Sequence, residues 1–367
     1  MNFKIFKGLD WVLAVVVAIL FLIGMVVISS ATHVNDYGST RQLMMQAVSF
    51  ILGVSILFGT LFIDYNTFQR YEKQLYIFNI ILLLIVYIPG LGVQRGGAHS
   101  WINLGPIDFQ TTELVKLTFI LGFASFLERR QGRFKTFKDL IPVALYSAPI
   151  LFLVLIQPDL GGVIVFVSII FGMVFVSGLN PKLIGYGFGA FIVSVPIIYR
   201  FLKPHQRVRI DAFLNPGDPK YEGNFQVIQS MIAIGSGKIF GKGLYKGTQN
   251  QYNFLPVQES DFIFAVLGEE FGLVGMVFVV FLFYIFVSRI LKIAANAKDT
   301  YGTLITIGVL FMFLYQIVQN IGMAIGVMPV TGVTLPFVSY GASSLLMSMM
   351  GIAIVLNVSM RTKKIKF

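Results

Sequence analysis

Long apolar runs alternate along the chain with short polar connections. The runs cover roughly residues 11–30, 43–63, 75–89, 112–127, 140–156, 160–178, 183–202, 262–287, 301–326 and 340–358. Most are near the twenty residues or so that cross a bilayer, and the third to fifth are shorter or interrupted. Lipid offers no water to backbone groups, so each run is expected to be a helix. The pattern predicts an all-α polytopic integral membrane protein, a single membrane domain over 1–367 with ten transmembrane helices. The first run follows Lys4 and Lys7 and resembles a signal sequence, but it is too long for one and is read as the first span.

Basic residues set the expected orientation. They gather at the N-terminus and in the even-numbered connections: Arg70 and Lys73, Arg129 to Lys138, Lys182, Arg289 to Lys298, and the tail from Arg361. The short odd-numbered connections hold Arg41 and Arg95. The positive-inside rule then puts both termini in the cytoplasm. One long connection between spans seven and eight, 203–261, is basic yet falls on the outer side, and loops of this length escape the rule. It holds a turn signal at 215–219, then apolar residues at 225, 228, 231, 232 and 234 that suit a short helix on the membrane face. A loop this long and patterned is where function is expected to concentrate.

Composition agrees: 56% of residues are hydrophobic and 12% charged, too apolar for a soluble domain. The net charge of +11 flanks apolar runs and forms no soluble basic face, so no nucleic acid is expected as a partner. Without cysteine there is no disulfide or thiol chemistry. His33, His99 and His205 are too scattered to suggest a histidine metal site.

Four polar clusters fall toward the predicted outer face. Gly96 to Gly105 surrounds Trp101, which is either an interfacial anchor or part of a shaped surface loop. Glu113 and Lys116 share a helix face, either as an ion pair that eases insertion or as a charge offered to an anionic ligand. Asp159, in Gln157-Pro158-Asp159, suits a tight turn and also an acidic site. The stretch LPVQESDFIFAVLGEEFG at 255–272 puts Glu259, Ser260 and Asp261 at the lip of span eight. If Asp261 begins that helix, Ala265, Gly268, Gly272 and Gly275 form a bare stripe below it, for tight helix packing or for a lipid tail. Glu269 and Glu270 point off that face and are read as structural. The loop 327–341, uncharged and rich in Pro, Gly, Ser and Thr, suits a re-entrant segment. A cation–carboxylate site beside an apolar groove fits a lipid-linked anion. The residues alone leave a transferase, a transporter and a channel open. A transporter would gather its charges near the midplane.

The chain resembles the SEDS family of bacteria (shape, elongation, division and sporulation), especially its RodA branch. The resemblance rests on GGAHSWINLG at 96–105, Gln110 with Glu113 and Lys116, QPDLGG at 157–162, residues 226–242, FLPVQESDFIFAVLGEEFG at 254–272 and NIGMAIGVMPVTGVTLPFVSYGASS at 320–344. It departs from the family pattern at Thr111-Thr112, at Glu259-Ser260 and at Ala342.

The resemblance implies an enzyme of the bacterial cytoplasmic membrane with its site on the outer side: a peptidoglycan glycosyltransferase that polymerises lipid II into β-1,4 glycan strands during elongation. The step inverts the anomeric carbon and releases undecaprenyl diphosphate. A lipid II flippase is the competing activity. Asp261 matches the essential aspartate and is expected to be the general base. Its rival role, together with Asp159, is to hold Mg²⁺ or Mn²⁺. No organic cofactor is implied. Lys116, Arg207 and Lys242 are candidates for the diphosphate. Glu113, Trp101 and Asp159 match positions linked to substrate and activity, and Glu259, Ser260 and Ser339 are expected to support Asp261. The implied partners are a class B penicillin-binding protein transpeptidase and other membrane proteins of the elongation complex.

Overall fold

A computed structural model describes residues 8–33, 36–95, 98–103, 108–201, 207, 210–211, 213–215, 222–252 and 254–362. Residues 216–219 of the turn predicted at 215–219, the glycines at 96, 97 and 105, and Lys4, Lys7, Lys203, His205, Arg209 and Lys220 lie outside these residues.

Each of the ten apolar runs coincides with a helix. In chain order these are α1 (Trp11–Ala31), α2 (Asp36–Leu61), α4 (Glu72–Leu84), α5 (Thr111–Glu128), α6 (Phe137–Ile156), α7 (Leu160–Val176), α8 (Pro181–Phe201), α11 (Ile263–Ala295), α12 (Thr300–Ala324) and α13 (Ala342–Met360). Short helices intervene: α3 (Asn66–Gln69), α9 (Glu222–Gly237) and α10 (Thr248–Gln251). Among the described residues, six helices are long and apolar enough to cross a membrane, and α7 is a shorter apolar one. The fold is that of a multi-pass membrane protein.

Carboxylates start several of these helices, where free N–H groups need acceptors. Asp10 accepts from Leu13 N–H at 3.0 Å, Asp159 from Gly162 N–H at 2.8 Å and Asp299 from Gly302 N–H at 2.7 Å. Asp10 also takes two nitrogens of Arg289 at 2.5–3.1 Å, which ties the start of α1 to α11. α12 lies at the centre, packed on α5, α7, α11 and α13, and α1 and α9 flank α11.

The expectation of an all-α chain needs correction. A three-stranded antiparallel sheet joins α4 to α5: β1 (Gly92–Arg95), β2 (Ala98–Asn103) and β3 (Asp108–Gln110), in that order. Trp101 stands opposite Val93 and Gln110. The cause is a period of two: Ser100 and Ile102 are buried, while His99 and Trp101 are half-buried and Asn103 is exposed. Thr111 Oγ1 donates to Ser100 O at 3.2 Å and His99 N to Gln157 O at 3.1 Å, so the sheet sits on the start of α5 and the α6–α7 turn.

The α11 expectation is corrected as well. The helix begins at Ile263, and Asp261 sits in the turn before it. α11 is also broken at Gly272, with φ 66° and ψ −163°. The bare stripe is filled: a Cβ on Gly268 would lie 3.1 Å from Ile234, and one on Gly272 would lie 2.3 Å from Gly241 N. Tight packing accounts for these small residues.

Candidate functional site

Asp261 is placed by its backbone. Residues 257–261 form a tight turn in which Ser260 N and Asp261 N donate to Val257 O at 3.3 and 3.1 Å. Val257 has φ 55°, a conformation that a β-branched side chain resists. Such a residue costs on the order of 1–3 kcal/mol and persists only where its surroundings dictate it.

Here they do. Asn320 Nδ2, from α12, donates to Asp261 O at 2.9 Å and to Val333 O at 2.8 Å. Ser339 Oγ donates to Ser260 O at 2.5 Å and accepts from Leu335 N at 2.9 Å. Tyr340 N donates to Glu259 O at 2.8 Å, and Gln258 Nε2 to Ala31 O at 2.8 Å at the end of α1. The loop 327–341 is thus an irregular segment built around the Asp261 turn, with Val333, Leu335, Phe337 and Val338 buried. Above this frame the Asp261 carboxylate is half-buried, with Ser260 Oγ 3.1 Å from its Oδ1.

A second cluster lies across the same loop. Lys116 Nζ is 2.7 Å from Glu113 Oε1, and Lys116 is buried. Thr112 Oγ1 is 3.4 Å from Asp159 Oδ2. A Cβ on Gly161, in the first turn of α7, would lie 2.7 Å from Thr331 O, and one on Gly332 would lie 3.7 Å from Asp261 Oδ2. Residues 331–332 therefore lie against the start of α7, two residues from Asp159, on one side and against Asp261 on the other.

The remaining predicted residues each have contacts of their own. Trp101 stands in β2, on the sheet that caps α5. Arg207 is held within its own segment, donating to Arg200 O at 2.5 Å and lying 5.6 Å over the Tyr199 ring. Lys242 pairs with Glu269 at 2.7 Å. Asn320 is a central support outside the predicted site residues. Its signal was present, since an Asn inside an apolar helix needs a partner. No three acidic or histidine side chains gather to hold a metal among the described residues.

Burial pushes the Asp159 carboxyl above the ordinary aspartate value, against the pull of the Gly162 N–H and the Lys116 charge. A carboxyl raised on folding contributes its stability below the unfolded value and loses it as pH rises through the folded one. Asp159→Asn removes that loss and keeps an oxygen for the α7 cap. Its melting temperature in detergent should match or exceed the parent's at pH 7, and the difference should close toward about pH 4. A lower melting temperature at pH 7 would mean that the ionised carboxylate is worth more to the fold than its burial costs.

The sequence model of a family described as cell cycle protein, FtsW/RodA/SpoVE, matches residues 10–364. Stage V sporulation protein E of Bacillus subtilis (strain 168) is 36% identical, over 95% of this chain and 96% of its own. The peptidoglycan glycosyltransferase MrdB of Escherichia coli (strain K12) is 36% identical, over 94% of this chain and 93% of its own. Among solved structures, a chain of a peptidoglycan synthase complex that coordinates polymerization and crosslinking superposes with TM-score 0.82 at 34% identity, covering 96% of this chain and 97% of that one. The rod shape determining protein RodA of Thermus thermophilus superposes with TM-score 0.72 at 30% identity, covering 97% and 98%.

Proposed function

The chain belongs to the FtsW/RodA/SpoVE family of cell cycle proteins and is a peptidoglycan glycosyltransferase, and from this premise we propose that it polymerises lipid II. The observation that carries the reading is the half-buried Asp261 carboxylate on a main-chain frame, one loop away from the Lys116–Glu113–Asp159 cluster. A transferase of this kind needs a base at the attacking hydroxyl and positive charge at the departing diphosphate.

Asp261 takes the proton as the C4 hydroxyl of one sugar attacks the anomeric carbon of another. The new C–O bond forms as the bond to the diphosphate breaks, and the electron pair leaves with undecaprenyl diphosphate. Attack opposite the leaving group converts an α-linked donor into a β-1,4 bond. Lys116 and Arg207 are the cations assigned to the diphosphate. Glu113 orients Lys116, and Trp101 and Asp159 border the same cluster. Where Mg²⁺ or Mn²⁺ takes part, Asp261 and Asp159 would hold it, and the cation would supply charge for the diphosphate. That donor set suits Mg²⁺, which is held by one or two carboxylates and by substrate phosphates.

The site lies on the outer side of the bacterial cytoplasmic membrane, with both termini inside and the loop over 203–261 outside, which the basic connections support. The likeness to MrdB and to RodA supports a role in elongation and cell shape. The likeness to a chain of a synthase complex supports a penicillin-binding protein transpeptidase as partner.

The test is purified protein with lipid II. The expected products are glycan polymer and undecaprenyl diphosphate. Translocation of lipid II in liposomes with no polymer would replace this reading with a flippase.

A further inference from the structure

Glu269 and Lys242 lie outside the chemistry proposed above, yet they form a dense polar contact between α11 and the segment at 236–250. Glu269 is fully buried. Its Oε1 receives Lys242 Nζ at 2.7 Å, Gln249 N at 3.1 Å, Thr248 Oγ1 at 3.2 Å and Ser236 Oγ at 3.4 Å. Its Oε2 receives Asn250 N at 3.4 Å. One carboxylate thus gathers α9, the segment after it and the start of α10. The backbones pair too: Lys242 N and Gly243 N donate to Glu269 O and Glu270 O, each at 3.0 Å.

The next link runs toward Asp261. Asn250 Nδ2 donates to Ser30 O at 3.0 Å, and Gln258 Nε2 to Ala31 O at 2.8 Å. Glu270 accepts from Ser30 Oγ. The stretch from α10 to Asp261 is therefore pinned at both ends to the last turn of α1. Its first pin, Asn250, sits on the α10 backbone that Glu269 holds.

We propose that Glu269 and Lys242 are positioning residues for glycosyl transfer. They lock 248–261 against α1 and so set where Asp261 stands, and Lys242 spends its charge on Glu269 and not on the diphosphate. Were Lys242 drawn to a phosphate, Glu269 would be left as a buried charge without its cation, which is strongly unfavourable. The inference rests on Asp261 acting in the reaction.

The experiment compares Glu269→Gln, Lys242→Met and the double variant, as full-length protein in detergent, with lipid II. Each single change should lower kcat by about 10- to 100-fold, as a displaced reactive group does. KM should stay within about twofold, because substrate contacts are kept. The double variant should be about as slow as the singles. It should regain thermal stability, since removing both partners leaves no buried charge unpaired. Hydrogen exchange should quicken over 248–261 in every variant and stay unchanged in α12 and α13.

A KM rise confined to Lys242→Met, with Glu269→Gln unaffected, would put Lys242 on the substrate and overturn the proposal. Recovery of kcat in step with stability in the double variant would reduce the pair to a fold-stabilising one and overturn it as well. Unchanged exchange over 248–261 would do the same. If the parent protein makes no polymer, the lipid II reading fails, and the exchange data still decide whether the pair holds this segment.

Discussion

Asp261→Asn leaves a folded protein that makes no measurable glycan polymer. A positioned base contributes about 10²–10⁴ in rate, and an amide cannot accept the hydroxyl proton. The fold should survive because the frame grips main-chain atoms. Asn320 takes Asp261 O, Ser339 takes Ser260 O and Tyr340 N reaches Glu259 O. The amide oxygen also remains as an acceptor for Ser260 Oγ. The melting temperature should move by no more than about 2 °C, consistent with a change near 0.5 kcal/mol. The measurement is polymer length and yield from lipid II beside a thermal melt in detergent. Polymer at more than about a tenth of the parent rate would end the assignment of Asp261 as base, since loss of such a group costs at least about 10². A collapsed melting curve would mean instead that the carboxylate holds the turn.

The helices were legible because a bilayer leaves so few solutions. Apolar length marks each helix, and all ten runs coincide with one, within a few residues for most. The short helix expected near 225–234 is there too, as α9, but it is packed on α11 and tied to the end of α12, where Ser230 Oγ donates to Ala324 O at 2.7 Å. The sheet was missed for the same reason the helices were found. Requiring every backbone group to bond within its own helix leaves no place for strands, while the strand at 98–103 lies in a connection and its alternation is one of burial over 99–103. The Asp261 turn was missed because a helical wheel presumes a helix. Val257 at φ 55° and the pins from Asn320 and Ser339 form across long sequence separations, which local pattern cannot register. Glu269 shows the limit from the other side. Its charge type suggested a structural role, but its partners, Ser236 of α9, Lys242 and residues 248–250 of α10, lie 19 to 33 positions away along the chain, beyond local pattern.

Gly272 carries the largest expected effect on the fold. Its φ of 66° and ψ of −163° fall in a region that is essentially closed to residues with a Cβ. The break it makes frees backbone groups on both sides, and the chain at 238–243 takes them up. Leu273 N and Val274 N donate to Lys238 O and Ile239 O at 2.9 and 3.1 Å, and the carbonyls of Glu269 and Glu270 accept from Lys242 and Gly243. In a membrane helix a break is tolerated only where such partners are supplied. A Cβ at Gly272 would lie 2.3 Å from Gly241 N and 2.5 Å from Ile239 O, both backbone atoms with no rotamer to escape into. Gly272→Ala therefore either straightens α11 and tears out the 238–243 segment, or forces that segment away. The expected loss is about 3–5 kcal/mol, combining the strain with the displaced ladder. Gly235→Ala is the matched control. It sits in α9 with open space where its Cβ would go, so it should be neutral or stabilising by up to about 1 kcal/mol. Thermal unfolding of the two variants in one detergent gives the comparison. Equal melting temperatures would mean that α11 can run straight through residue 272, and that the loop carrying Lys242 is not locked to it. A large drop confined to Gly272→Ala, with polymerisation lost alongside, makes this one glycine the joint between the long span and the loop that leads to Asp261.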